Sequence, residues 1–154
     1  MEERFMLEAI AEARLGINNG HGGPFGAVIV KDGKIVGRGH NQVIKNQDAT
    51  CHGEMMAIRD ASKNLNSFDL SGCEIYTTGY PCPMCMGAIL WANIDKVYYG
   101  CDVHDTEKIG FRDNAFYEKL SSEEEKKSFI KEIGRKECLD LYGEYMKIQG
   151  GANY

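Results

Sequence analysis

Met6, Ile10, Ala13 and Ile17 recur at spacings of three and four, with acidic residues early and Asn18-Asn19-Gly20 behind them, which predicts an amphipathic helix closed by a glycine. Residues 25–30 and 34–39 are β-rich runs on either side of Asp32-Gly33, a strong local signal for a hairpin, and Asn41 falls just past its second strand. Residues 51–63 favour helix, with Met55, Met56 and Ile58 on one broad face, Asn64 near the stop, and His52 and Glu54 in the first turn. A short strand over 74–78 follows. Pro81-Cys82-Pro83 then punctuates the chain before a helix over 84–92, in which Pro83 is a permitted early residue. Residues 96–100 make a further strand, so the middle of the chain alternates strand, helix, strand. A mixed α/β sheet with helices on both faces is expected.

Past Asp105 the periodicity weakens. Ser122 with Glu125 three residues later fits a capped helix, while residues 128–132 fit a final strand, and both readings stay open. Residues 135–147 read as a helix with Leu139, Tyr142 and Met146 on one face, followed by a glycine-rich tail that is flexible by composition. No internal repeat or linker is visible, so residues 1–154 are expected to form one domain.

With 154 residues, 43% of them hydrophobic, the chain can build one core without disulfides. A net charge of −5 and the lack of a long basic run argue against a protein whose main task is gripping a phosphate backbone. The opening Met1-Glu2-Glu3-Arg4-Phe5-Met6 does not have the pattern of an export signal, and no run of about 18 apolar residues exists to cross a membrane. A cytoplasmic protein with no membrane partner is expected, and its six cysteines should stay reduced. Cys51, Cys73, Cys101 and Cys138 read as small buried hydrophobes. Only Cys82 and Cys85 are spaced for a metal or a redox pair.

Zinc takes imidazole and thiolate ligands, and a catalytic site uses three of them so that a fourth position stays open. His52, Cys82 and Cys85 supply three. Helix starts favour the thiolate form of Cys82 and Cys85. A fourth ligand for a purely structural zinc is not obvious, since His21, His40 and His104 stand isolated in the sequence. Glu54, two residues after His52, adds a carboxylate that can carry a proton from water to a departing amine. The combination of His52-Gly53-Glu54 with Pro81-Cys82-Pro83-Met84-Cys85 is the known zinc-deaminase signature. A redox role for the cysteine pair leaves His52 and Glu54 unexplained.

On these residues the chain resembles the cytidine and deoxycytidylate deaminase superfamily, and within it the bacterial guanine deaminases. Gly22-Gly23-Pro24-Phe25-Gly26-Ala27-Val28-Ile29-Val30-Lys31-Asp32-Gly33 is similar to the guanine deaminase N-terminal strand, and Gly110-Phe111-Arg112-Asp113 to that family's substrate loop. The resemblance implies a three-layer α/β/α cytidine-deaminase-like sheet, a zinc ion, and hydrolytic deamination of a free purine base, guanine to xanthine and ammonia. It also implies roles: Glu54 and Asp113 as proton carriers, with Asn41, Phe25, Gly53, Trp91 and Tyr154 contacting the base. In that family Tyr154's counterpart reaches the base from a tail exchanged between two subunits, which implies a homodimer with residues from about 148 to 154 swapped. Two positions depart from the family, which usually carries alanine at Gly53 and glutamate at Tyr80. His-Gly-Glu and Gly39-His40-Asn41 also resemble fungal-type cytosine deaminases. Cytosine, adenosine in tRNA, and a non-catalytic zinc-stabilised binding module therefore stand as alternatives, and nucleic acid is the less expected partner on charge.

Overall fold

In the computed structural model the described residues are 2–148, 150, 153 and 154. They fold into two compact units, Met1–Tyr117 and Glu118–Tyr154. The first holds a four-stranded sheet in the order β2-β1-β3-β4. Strand β1 (Gly26–Lys31) pairs antiparallel with β2 (Lys34–His40) and with β3 (Cys73–Gly79), and β3 pairs parallel with β4 (Lys96–Cys101). The hairpin turn is built as its sequence predicts: Asp32 and Gly33 both take positive φ, 50° and 75°, as a tight turn matched to strand twist requires.

Strand alternation sorts the core into two layers. Val28 and Val30 of β1 and Tyr76 of β3 pack with Phe5 and Ala9 of α1 (Glu3–Asn18). Ala27 and Ile29 of β1 and Ile75 of β3 pack with Ala57 and Ala61 of α3 (Gly53–Leu65) and Ile89 of α4 (Pro83–Trp91). The expected mixed sheet with helices on both faces is present, with α1 on one face and α3 together with α4, the crossover between β3 and β4, on the other.

Which face of each helix is buried differs from the periodicity reading. In α1 the buried line is Phe5, Ala9, Ala13 and Gly16, and in α3 it is Gly53, Glu54, Ala57 and Ala61. The larger side chains chosen from sequence sit to one side because small residues let the helices approach the strands closely. A Cβ on Gly39 would lie 2.4 Å from the Ala57 nitrogen, and one on Gly37 2.6 Å from the Ala57 oxygen. Leu65 ends α3, with Asn66 in the left-handed region at φ 50°.

Three short helices went unread: α2 (Val43–Asn46), α5 (Val103–Lys108) and α6 (Asp113–Ser121). Asp102 and Asp105 form a reciprocal capping box on α5, a local signal the sequence did carry. Beyond them α7 (Glu123–Phe129) starts at Ser122, whose hydroxyl accepts from the Glu125 amide, so the capped-helix reading of this segment holds and the final strand does not form. Helix α8 (Arg135–Met146) completes the second unit, none of whose described residues is buried. Gly151 and Ala152 of the expected flexible tail lie outside the described residues. Among the described residues no helix is long and apolar enough to cross a membrane.

Candidate active site

Two helix starts converge at the end of the sheet. His52 is the N-cap residue of α3 and Cys82 the N-cap of α4, with Pro83 at its first turn, and both take extended backbone that aims the side chain off the helix end. Cys85 lies one turn into α4. One ligand atom from each of His52, Cys82 and Cys85 falls within 4.8 Å of the others, and Cys82 Sγ is 3.5 Å from His52 Nδ1. Among the described residues this is the one group of three or more such side chains placed to share an ion.

The thiol chemistry fits a cation. Its hydrogen bond with Cys85, aided by His52, lowers the Cys82 thiol to about 4, while Cys85 is driven up by the same contact and by burial. Without a cation the pair holds on to one proton, and a divalent ion is the natural replacement for it. The hydrogen bond with Cys82 also raises His52.

Beside this triad is a cavity of about 370 Å³, of the size that takes a small planar ligand. His52, Glu54, Phe25, Asn41, Tyr80, Phe111, Arg112 and Asp113 are among its lining residues. Glu54 is buried at 5% exposure, and desolvation pushes its carboxyl up to about 7. Asp113, half-buried at the start of α6, is raised mainly by desolvation too. Asn41 is buried; its side-chain oxygen accepts from the Val43 amide at 3.0 Å, which leaves its NH2 to donate into the cavity. Phe25 and Phe111 meet edge to face with ring centroids 4.8 Å apart.

Other sequence candidates fall elsewhere. Trp91 is not a wall of this cavity: it is the last residue of α4 and 66% exposed. Its position follows from helical phase, since Cys85 and Ile89 take the buried side of α4. Gly53, between the lining residues His52 and Glu54, is not itself among the residues that line the cavity; a Cβ there would lie 3.2 Å from the Phe25 oxygen. Tyr154 belongs to the second unit and is exposed. Cys51 and Cys73 are buried as expected, but Cys101 and Cys138 are exposed. His21 and His40 are not isolated; their rings meet.

Several lining residues had no role assigned from sequence. Val43 and Ile44 open the short α2 and Ala49 follows it; the only sequence signal there was the apolar pair Val43-Ile44 two residues after Asn41. Tyr80 is set between Tyr99 and Tyr117, edge to face with each, and the Tyr117 hydroxyl donates to the Pro81 carbonyl. Burial pushes Tyr117 up to about 12 and keeps that donor protonated.

Residues 1–101 match the cytidine and deoxycytidylate deaminase zinc-binding region. The guanine deaminase of Bacillus subtilis is 44% identical over 126 residues, 82% of this chain and 81% of that protein. A tRNA-specific adenosine deaminase of Buchnera aphidicola is 35% identical over 124 residues, 80% of each. The crystal structure of the Bacillus subtilis guanine deaminase superposes with a TM-score of 0.93 at 37% identity, covering 100% of this chain and 99% of that one.

Proposed function

This chain belongs to the cytidine and deoxycytidylate deaminase family, and from that premise we propose that it hydrolyses guanine to xanthine and ammonia. The observation that carries the choice of substrate is the similarity to a guanine deaminase along the whole chain, past residue 101 where the shared zinc-binding region ends.

His52, Cys82 and Cys85 would hold the zinc. When bound there, zinc supplies Lewis acidity that brings the pKa of a water molecule toward neutrality. Glu54, with a carboxyl poised near 7 by burial, takes a proton from water and returns it to the substrate within one turnover. Asp113, which also lines the cavity and is raised by desolvation, relays the second proton of the attacking water from the newly formed hydroxyl to the amino group as ammonia leaves, and so ends the turnover in its starting state. The Asn41 NH2 orients the ring by donating to its acceptors, and Phe25 with Phe111 supplies apolar faces for a planar base.

The working unit under this reading is a homodimer in which Tyr154 closes a partner's site. In support, Leu139, Tyr142 and Met146 of α8 are all exposed, an apolar face that a second copy would cover. The cytoplasm suits six free thiols.

Ammonia release from guanine, cytosine, adenine, guanosine and cytidine, and from a tRNA anticodon stem-loop, tests the assignment with the zinc-loaded protein. Guanine alone should react. Turnover of cytosine or of the tRNA, with guanine inert, would overturn the substrate while leaving the chemistry in place.

A further inference from the structure

We propose that His21 and His40, anchored by Glu12, form a positioning relay that holds the base-binding Asn41 in place and loosens on acidification. His40 is 7% exposed; its Nδ1 lies 2.9 Å from Glu12 Oε2 on α1, and its Nε2 lies 2.8 Å from His21 Nδ1. The rings are nearly parallel at 15° with centroids 5.1 Å apart, the arrangement of two imidazoles joined nitrogen to nitrogen. A Cβ on Gly16 would come within 2.7 Å of the His40 ring, so α1 clamps this ring from one side.

The relay grips the chain on both sides of Asn41. His40 directly precedes it. On the far side, the His21 carbonyl accepts from the amides of Ile44 and Lys45 at 3.0 and 3.1 Å. Gly22, which follows His21, packs so tightly on Asn41 that a Cβ there would sit 2.1 Å from its side-chain oxygen. The placement of the Asn41 amide in the cavity thus depends on where His21 sits. His21 in turn is fixed through its ring to His40 and through its own amide to the Gly16 carbonyl.

A nitrogen-to-nitrogen hydrogen bond needs one proton and one lone pair. With His40 Nδ1–H donating to Glu12, the pair survives only while one of the two facing nitrogens is unprotonated. Partial desolvation, then Lys45 and His40, hold His21 below its ordinary value, so near neutral pH it is the neutral partner. The charged groups facing the pair are Glu12 from α1 and Lys45 from α2; Arg38, on β2, is engaged by Glu8. An imidazolium still donates to a neutral imidazole, so the bond is lost, and the rings part, only when acidification makes both rings cationic.

This inference rests on the proposed deamination. Its test is KM and kcat for guanine from pH 5.5 to 8 in the zinc-loaded wild type, His21→Ala and His21→Asn. His21→Ala should raise KM about three- to tenfold at pH 7.5, the effect of one lost hydrogen bond, with kcat within twofold. His21→Asn, whose amide reaches where Nδ1 sits, should restore KM at pH 7.5 and remove the acid rise in KM that the wild type shows. A His21→Ala KM within twofold of wild type across the range would overturn the relay, as would an unchanged acid limb in His21→Asn should the alanine variant fail to fold. If the wild type turns over no guanine, the proposed function fails and the relay is read from imidazole ¹⁵N shifts. A His21 Nδ1 hydrogen-bonded above pH 7 and released below 6 supports it, and two independently titrating, solvent-averaged rings refute it.

Discussion

Glu54 is where the sequence motif and the physics of burial meet. A carboxyl with 5% exposure is costly to ionise, and its rise to about 7 means that in zinc-free protein the native state carries a proton that the unfolded chain lacks from about pH 4.5 to 7. At this group the native state binds more protons than the unfolded one, so the contribution of Glu54 to stability falls as pH rises through that window, by about 3 kcal/mol in full. Glu54→Gln removes the slope. Because the lowered Cys82 thiol acts in the opposite sense in both proteins, urea unfolding in chelator should show the stability of the variant relative to wild type rising by about 2–3 kcal/mol from pH 5 to pH 8. The same variant, zinc-loaded, should keep its metal and lose roughly 10²- to 10⁴-fold in turnover, the range for a positioned general acid–base group. Metal analysis beside ammonia release checks both halves, and undiminished turnover would reject the assignment. The placement of His52, Glu54, Cys82 and Cys85 at one site was legible because all four lie within a few positions of helix starts, where spacing alone fixes direction. Trp91 was not legible: aromatic character does not reveal which side of a nine-residue helix faces the cavity.

At the level of elements, the site depends on how closely α3 lies on the β1–β2 hairpin. Gly39 sits against the backbone of α3's first turns, 2.4 Å from the Ala57 nitrogen and 2.6 Å from the Gly53 oxygen for a built Cβ. Neither atom belongs to a flexible side chain, so Gly39→Ala must push the helix that carries His52 and Glu54. A loss of about 1–3 kcal/mol follows from such overpacking, a drop in Tm of roughly 3–10 °C at this chain length. Calorimetry of the variant should show it, together with weakened zinc retention; a Tm unchanged within a degree would mean that the helix shifts freely. Gly53, by contrast, has a nearest neighbour at 3.2 Å, close enough to feel a methyl but open to adjustment of a few tenths of an ångström.

Across the whole molecule, the question is what covers the second unit. Residues 118–154 contain Phe129, Ile130, Ile133, Leu141 and Met146, all exposed, so this segment has apolar surface and no buried residue among those described. If the tail completes a partner's cavity, a chain ending at Lys147 should keep its zinc and lose activity. Mixing and refolding that chain with Glu54→Gln should recover part of it, since one site of each mixed dimer then has an intact Glu54 and an intact tail. Mixed protein as inactive as its parents would refute exchange. The boundary between the units was invisible in the sequence because it falls inside α6, with no glycine or proline to mark it.

What the sequence determined by itself was local: the hairpin at Asp32-Gly33, the order of the four strands and of the long helices between them, and the gathering of His52, Cys82 and Cys85 where they could share an ion, with Glu54 beside them. Each depends on interactions among residues a few positions apart, and such interactions leave a spacing. The tertiary structure decided the rest: which helix faces are buried, the cavity wall that Tyr80, Phe111 and Ile44 bring from three separate segments, and the meeting of His21 with His40 on Glu12. Those contacts join residues that no periodicity links, and they depend on glycines: Gly37 and Gly39 let β2 lie against the backbone of α3, while Gly16 and Gly22 leave room for the side chains of His40 and Asn41.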